Sequence, residues 1–157
     1  MSNSTEMPSN PIKAGWESPS NIALIKYWGK HGKQLPRNSS VSFTLSTAAT
    51  RTFVTIKDEN RTGKVELDFI FNGKENPAFS ARVENFLNSI CDEYFTFLKK
   101  YSIHIDTSNS FPHSSGIASS ASGMSALALC LCDIENQLND KTNFDENFCL
   151  KASEVSR

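Results

Sequence analysis

"FPHSSGIASSASG" occupies Phe111 to Gly123, and the order of structure around it decides the fold. Before it, Ile103 to Thr107 alternates apolar and polar residues, as a half-buried strand does. After it come Met124, Ala126, Leu127, Ala128 and Leu129, which predict an apolar helix from about Ser119 to Gln137. Three readings fit a Ser/Gly-rich stretch between strand and helix: a flexible linker, a capped helix start, or a cradle for an anion. A helix start exposes N–H groups and carries a partial positive charge, so it attracts anions. Ser119 and Ser120 suit capping, phosphate binding or a contact to Mg²⁺. No lysine follows the glycine, so this is not a G-x-x-x-x-G-K-[ST] loop. The structural alternative is a buried helix whose small residues Gly123, Ala126 and Ala128 allow close packing.

Upstream, the apolar pattern has a period of two. Ala14 to Tyr27 reads as two short strands broken at Pro19. Ser40 to Ser46 puts Val41, Phe43 and Leu45 on one face and Ser42 and Thr44 on the other, the pattern of a half-buried strand. Thr52 to Lys57 repeats the theme with Phe53, Val54 and Ile56. Val65 to Phe71 is a further strand, ended by the turn signal Asn72-Gly73. These strands predict a β-meander. The period changes at Asn76-Pro77, a pair suited to a helix cap and first turn. Val83, Phe86, Leu87, Ile90, Tyr94 and Leu98 then predict one amphipathic helix of roughly five turns. Asp145 to Ser156 predicts a third helix. Strands, helix, strand, helix make an α+β chain. The expected organisation is a disordered polar lead over residues 1–12 and one domain over 13–157.

Composition narrows the function. Hydrophobic residues are 38% of the chain and charged residues 21%, too apolar for disorder and enough for one core. A net charge of -1 gives no general attraction to nucleic acid or to an anionic membrane. An anion must be met by a local cluster. The first ten residues hold no apolar core of a signal peptide. The longest apolar-rich run, Ala126 to Cys132, is too short to span a bilayer. Cys91, Cys130, Cys132 and Cys149 form no C-x-x-C pair and read as buried free thiols. A cytoplasmic, reducing location follows from them. His31, His104 and His113 show no metal-ligand spacing.

A second stretch, "NIALIKYWGK" from Asn21 to Lys30, adds cations. Lys26, Tyr27 and Lys30 fall within five residues, with Gly29 turning the chain. Two ammonium groups and a phenol at one turn suit a phosphate clamp. A solvated strand end is the structural alternative. Asn38, Ser39 and Ser40 follow "LPR" and by themselves make a turn.

Taken together, these stretches resemble the mevalonate diphosphate decarboxylase family of the GHMP kinase superfamily. The resemblance rests on Asn21 to Lys30, on Leu35-Pro36 with Asn38-Ser39-Ser40, and on Phe111-Pro112 with Gly116-Ile117-Ala118-Ser119-Ser120-Ala121. The last fits the superfamily's P-x-x-x-G-[LI]-x-S-S-A loop. It runs from about Ser18 to the C-terminus, and the Lys26-Tyr27-Trp28-Gly29-Lys30 run is quite specific to the decarboxylase branch. It implies a GHMP-kinase N-terminal domain, ribosomal protein S5 domain 2-like, with a mixed or antiparallel sheet and helices on one face. It also implies ATP and Mg²⁺ as cofactors. The implied reaction is decarboxylation of mevalonate 5-diphosphate to isopentenyl diphosphate.

Carried over residue by residue, the resemblance implies that Tyr27 and Lys30 hold the substrate diphosphate and that Asn21 lines the substrate pocket. Lys26 would support the nucleotide phosphates. Pro112, Gly116, Ile117, Ala118, Ser119 and Ser120 would wrap them, with Ser119 or Ser120 adding a hydroxyl to phosphate or Mg²⁺. Ile70-Phe71-Asn72-Gly73 resembles a W-L-N-G segment near the nucleotide, but its tryptophan is absent and no adenine contact is assigned. The substrate and ATP are the expected partners, with no nucleic acid and no membrane. Family members are often homodimers, although no interface signal stands out here.

The chain also departs from the family. His113, Ser114 and Ser115 replace a T-A-A triplet, and Arg37 stands where a small or apolar residue is usual. These changes either alter preference for the substrate's phosphorylation state or face solvent at the rim. The family's carboxylate-binding arginine and catalytic aspartate lie beyond the position of Arg157. No catalytic residue is therefore assigned, and the chain is expected to be the inactive N-terminal part of a longer enzyme. The alternatives are a related GHMP kinase or decarboxylase acting on mevalonate or its monophosphate, and a non-catalytic nucleotide-binding module.

Overall fold

A computed structural model of the chain describes residues 11–26, 28–32, 35–60, 62–112 and 115–157. Residues 1–10 of the expected polar lead lie outside the described residues. Strand β1 runs Lys13–Ile25 and β4 runs Val41–Glu59, antiparallel to it. Between them, β2 (Lys30–His31) and β3 (Leu35–Pro36) pair as a small ribbon. Strands β5 (Glu66–Phe71), β6 (Lys74–Glu75) and β7 (Tyr101–Asn109) complete the set. The main sheet has the order β1-β4-β7-β5-β6.

This is not the expected meander. β4 pairs with β7, and β5 runs parallel to β7. Parallel neighbours cannot be joined by a tight hairpin, so the chain crosses over through helix α1, Pro77–Ile90. Pro19 also fails to break β1. The strand continues with a register shift between Pro19 and Asn21. β1 is an edge strand, where a residue without an N–H loses little. The strands expected around Ser40–Ser46 and Thr52–Lys57 are one strand. Ala49 and Thr50 stay extended and pair with Pro19 and Ser18.

One face of the sheet is buried. Val54, Ile56, Phe69, Ile103 and Ile105 fall in register on it. Helix α2, Ser119–Leu138, packs across β1 and β4, α1 packs on β5, and α3, Glu146–Val155, packs on α2. The helices thus share one face, as expected. Trp16 ties three elements together. Its Nε1 donates to Asp133 Oδ2 at 2.9 Å, and its ring meets Phe144 and Phe148. The opposite face is polar, with Arg51 paired to Glu17 and both Lys57 and His104 paired to Asp68. The hydrogen bond from Lys57, then that from His104, holds the Asp68 carboxyl below its ordinary range.

The first helix is shorter than its pattern. It begins as expected, with the Asn76 side chain accepting from Phe79 N. It ends at Ile90, and Thr96–Lys99 forms a separate 3₁₀ turn. Phe95 and Phe97 are both buried and meet edge-on at 5.7 Å. Residues two apart do not meet on an α-helix, so bringing these two rings into contact requires a break. The cysteines are free, with Cys91, Cys130 and Cys132 buried and Cys149 exposed. Burial pushes the Cys130 thiol up to about 12 and the Cys132 thiol to about 11.

The outer half of the β1–β4 pair leaves the core. β7 pairs with β4 only from Thr50 onward. Val41 and Phe43, expected on a half-buried face, are 53% and 49% exposed, and Leu24 is 68% exposed. Leu131 in α2 is fully buried. Leu131→Ala is therefore expected to lower unfolding free energy by about 3 kcal/mol. Leu24→Ala should change it by less than about 0.5 kcal/mol. Urea denaturation of the two variants beside the parent measures both.

Candidate functional site

The loop before α2 is built to leave N–H groups free. Gly116 has φ +80, a conformation natural to glycine, and Ala118 follows with φ 36 and ψ 41. Ala118 is the helix N-cap, and among the described residues no side chain caps the helix. Capping by Ser119 or Ser120 is therefore corrected: both lie inside the first turn, past the cap position. The first turn of a twenty-residue helix thus presents its positive end without a serine blocking it.

Two anchors hold this loop on the sheet. The Ser20 hydroxyl of β1 donates to the Ile117 carbonyl. Ser122, buried one turn into α2, shares a 2.7 Å hydrogen bond with Thr50 of β4, and Thr50 donates to Asn109 of β7 at 2.8 Å. The flexible-linker reading is excluded by these bonds. Ser119 is half-buried, while Ser120 and Gly116 are exposed.

Below the loop lies a cavity of about 200 Å³ between sheet, α1 and α2. Ser119 and Ser120 form one part of its lining, Phe71, Phe79 and Met124 its apolar walls, and Asn109 a polar edge. Arg82 lines it from α1. Phe71 and Phe79 meet edge-on at 5.0 Å. Sequence reading missed this cavity because its walls come from five separate elements. One signal was present: Thr50 and Thr52 put hydroxyls at consecutive inward positions of a core strand. Phe71 and Asn72 do belong to the segment flagged as nucleotide-proximal, and Asn72 Oδ1 accepts from Asn109 N at 3.0 Å.

The second stretch lies along β1 and beyond it. Asn21 is half-buried next to the loop anchor Ser20 and pairs with Thr44. Lys26 is exposed just past the end of β1, and Lys30 is exposed in β2. Tyr27, His113 and Ser114 lie outside the described residues. The Asn38 side chain ties the turn together: Oδ1 accepts from Trp28 N at 2.6 Å, and Nδ2 donates to the Ser39 carbonyl at 2.9 Å. So Asn38 is a structural clasp as well as a turn residue. Arg37 is exposed, and its N–H donates to the Gly29 carbonyl at 3.0 Å. Pro112 is exposed. Among the described residues no group of three His, Cys, Asp or Glu could hold a metal ion.

Residues 18–150 match the family described as diphosphomevalonate decarboxylase-like N-terminal domain. The chain belongs to this family. The diphosphomevalonate decarboxylase of Saccharomyces cerevisiae is 33% identical over 148 residues, covering 87% of this chain and 36% of that protein. That of Debaryomyces hansenii is 34% identical over 130 residues, covering 74% of this chain and 32% of that protein. The chain thus spans about a third of the length of these relatives. The mevalonate diphosphate decarboxylase structure from Staphylococcus aureus superposes with a TM-score of 0.69 at 27% identity, covering 94% of this chain and 42% of that one. MDDEF in complex with MVAPP, AMPPCP and magnesium gives 0.68 at 33% identity, covering 94% of this chain and 42% of that one. No described helix is long and apolar enough to cross a membrane.

The anchors make a test of the diphosphomevalonate decarboxylase-like loop. Ser122→Ala should lower stability by about 1–2 kcal/mol, because a buried hydrogen bond is lost. Ser120→Ala should leave the melting curve unchanged, since that hydroxyl is exposed and makes no anchor. Differential scanning calorimetry of both variants measures the contrast.

Proposed function

We propose that this domain binds ATP and is the nucleotide-binding part of an ATP-dependent decarboxylase of mevalonate 5-diphosphate. The observation that carries this reading is the uncapped first turn of α2 at the mouth of an apolar cavity. Gly116 to Ser120 would receive the phosphates on backbone N–H groups. The purine would enter between Phe71, Phe79 and Met124. Ser119 or Ser120 would add a hydroxyl to phosphate or to Mg²⁺, a hard ion that takes oxygen ligands. Bound there, Mg²⁺ would neutralise charge on the transferring phosphates. Its use with a nucleotide analogue by MDDEF supports the pairing.

The substrate diphosphate would lie on the β1–β2 turn, with Lys30 and Tyr27 as donors and Lys26 nearby. Asn21 would line the pocket between the two phosphate sites. The chemistry follows from the tertiary alcohol. It leaves poorly until it is phosphorylated. Its departure builds positive charge on the third carbon, and the carboxylate's electrons fill it as CO₂ forms. Positioning two polyanions and neutralising their charge is then the protein's main task. The exposed apolar ribbon of β1 and β4 agrees with a domain that packs against further chain in a longer protein.

Ser120→Asp separates binding from folding. A carboxylate in the first helical turn is neutral or favourable for stability. It should repel triphosphate, so ATP affinity measured by calorimetry is expected to fall at least tenfold with no loss in melting temperature. An unchanged affinity removes the loop from the site. In a longer protein carrying this domain, mevalonate, its 5-phosphate and its 5-diphosphate should be supplied in turn with ATP. Equal release of ADP and CO₂ with the 5-diphosphate alone is expected. ADP without CO₂ would instead make it a kinase.

A further inference from the structure

Arg82 is the one guanidinium in the lining of the cavity beneath the phosphate loop. It sits on the exposed side of α1, with its Cζ 5.3 Å from the centre of the Phe79 ring. No carboxylate pairs with it among the described residues. Phe79 and Val83 of the same helix line the cavity with it, as do Ser119 and Ser120 of α2. A cation beside an apolar cavity can serve a ligand there in two ways, by meeting phosphate charge or by lying on an aromatic face.

Geometry favours the face. A guanidinium is planar and weakly hydrated, so beside an aromatic ring it can offer a flat face to a base. Phe71 meets Phe79 edge-on, and Phe79 in turn carries Arg82. The guanidinium thus adjoins a pair of aromatic side chains that line the cavity with it. We propose that Arg82 is a nucleotide-specificity residue that stacks on the purine base, rather than a further phosphate ligand. The proposal rests on the nucleotide reading above and assigns it a base-recognising wall on α1.

Three probes distinguish the outcomes: ATP, adenosine and inorganic pyrophosphate, each titrated into the full chain by calorimetry and followed by amide NMR. For Arg82→Ala, ATP and adenosine affinities are expected to fall about tenfold, the usual loss when a stacking partner of a base is removed. Pyrophosphate affinity should stay within twofold, with the same amide shifts at Gly116 to Ala121. Arg82→Lys keeps the charge but not the plane, and should resemble Arg82→Ala. If pyrophosphate binding falls with ATP and lysine restores both, Arg82 is a phosphate ligand and the proposal is overturned. If neither variant changes ATP or adenosine binding, it is overturned too. Failure of the nucleotide reading looks different: the parent chain then binds neither ATP nor adenosine. Both substitutions are at an exposed helix position and favour helix, so folding is preserved.

Discussion

The hydrogen bond between Thr50 and Ser122 holds the candidate site in place. It joins the middle of the longest strand to the second turn of the longest helix, and Thr50 passes the connection on to Asn109. The bond is buried, so its loss would leave polar groups without water. It fixes where α2 begins, and hence where the free N–H groups of its first turn point. Loop and cavity both inherit their position from it.

The same strand divides the molecule into two halves with different jobs. From Thr50 onward β4 lies between β1 and β7 and carries the core residues Val54 and Ile56. Before Thr50 its strand partner is β1, and Val41 and Phe43 are exposed. The site sits at the junction. The loop is tied to β1 by Ser20, at the point where the sheet becomes a two-stranded ribbon. Lys26 lies just past the end of that ribbon, and Lys30 lies in β2 beyond it. The core thus carries the loop before α2, and the β1–β4 arm extends from it toward the turn that holds Lys26 and Lys30.

Much of this was legible in local pattern. The cap at Asn76, the extent of α2, the α3 start at Asp145 and the turn at Asn72-Gly73 are each set by residues within a few positions of one another. The loop could be read as an anion site for the same reason, since glycines and a helix start are local features. Local pattern failed where distant rings competed. Phe95 and Phe97 pack against each other in the core, a contact that an α-helix does not allow two residues apart, so the helical period gave way to a 3₁₀ turn. It failed again at the helix cap, where serines favoured by propensity lie one and two positions too late.

By itself the sequence determined the α+β class, the strand-loop-helix around Gly116 and the family to which the chain belongs, because these rest on short motifs and on apolar period. Only the tertiary structure decided strand order, since pairing β5 parallel to β7 needs a crossover whose direction no local residue encodes. It alone decided that Phe71, Phe79, Arg82 and Met124 form one cavity with Ser119 and Ser120. Those residues come from one strand and two helices, and their meeting depends on how the buried face of the sheet seats α1 and α2.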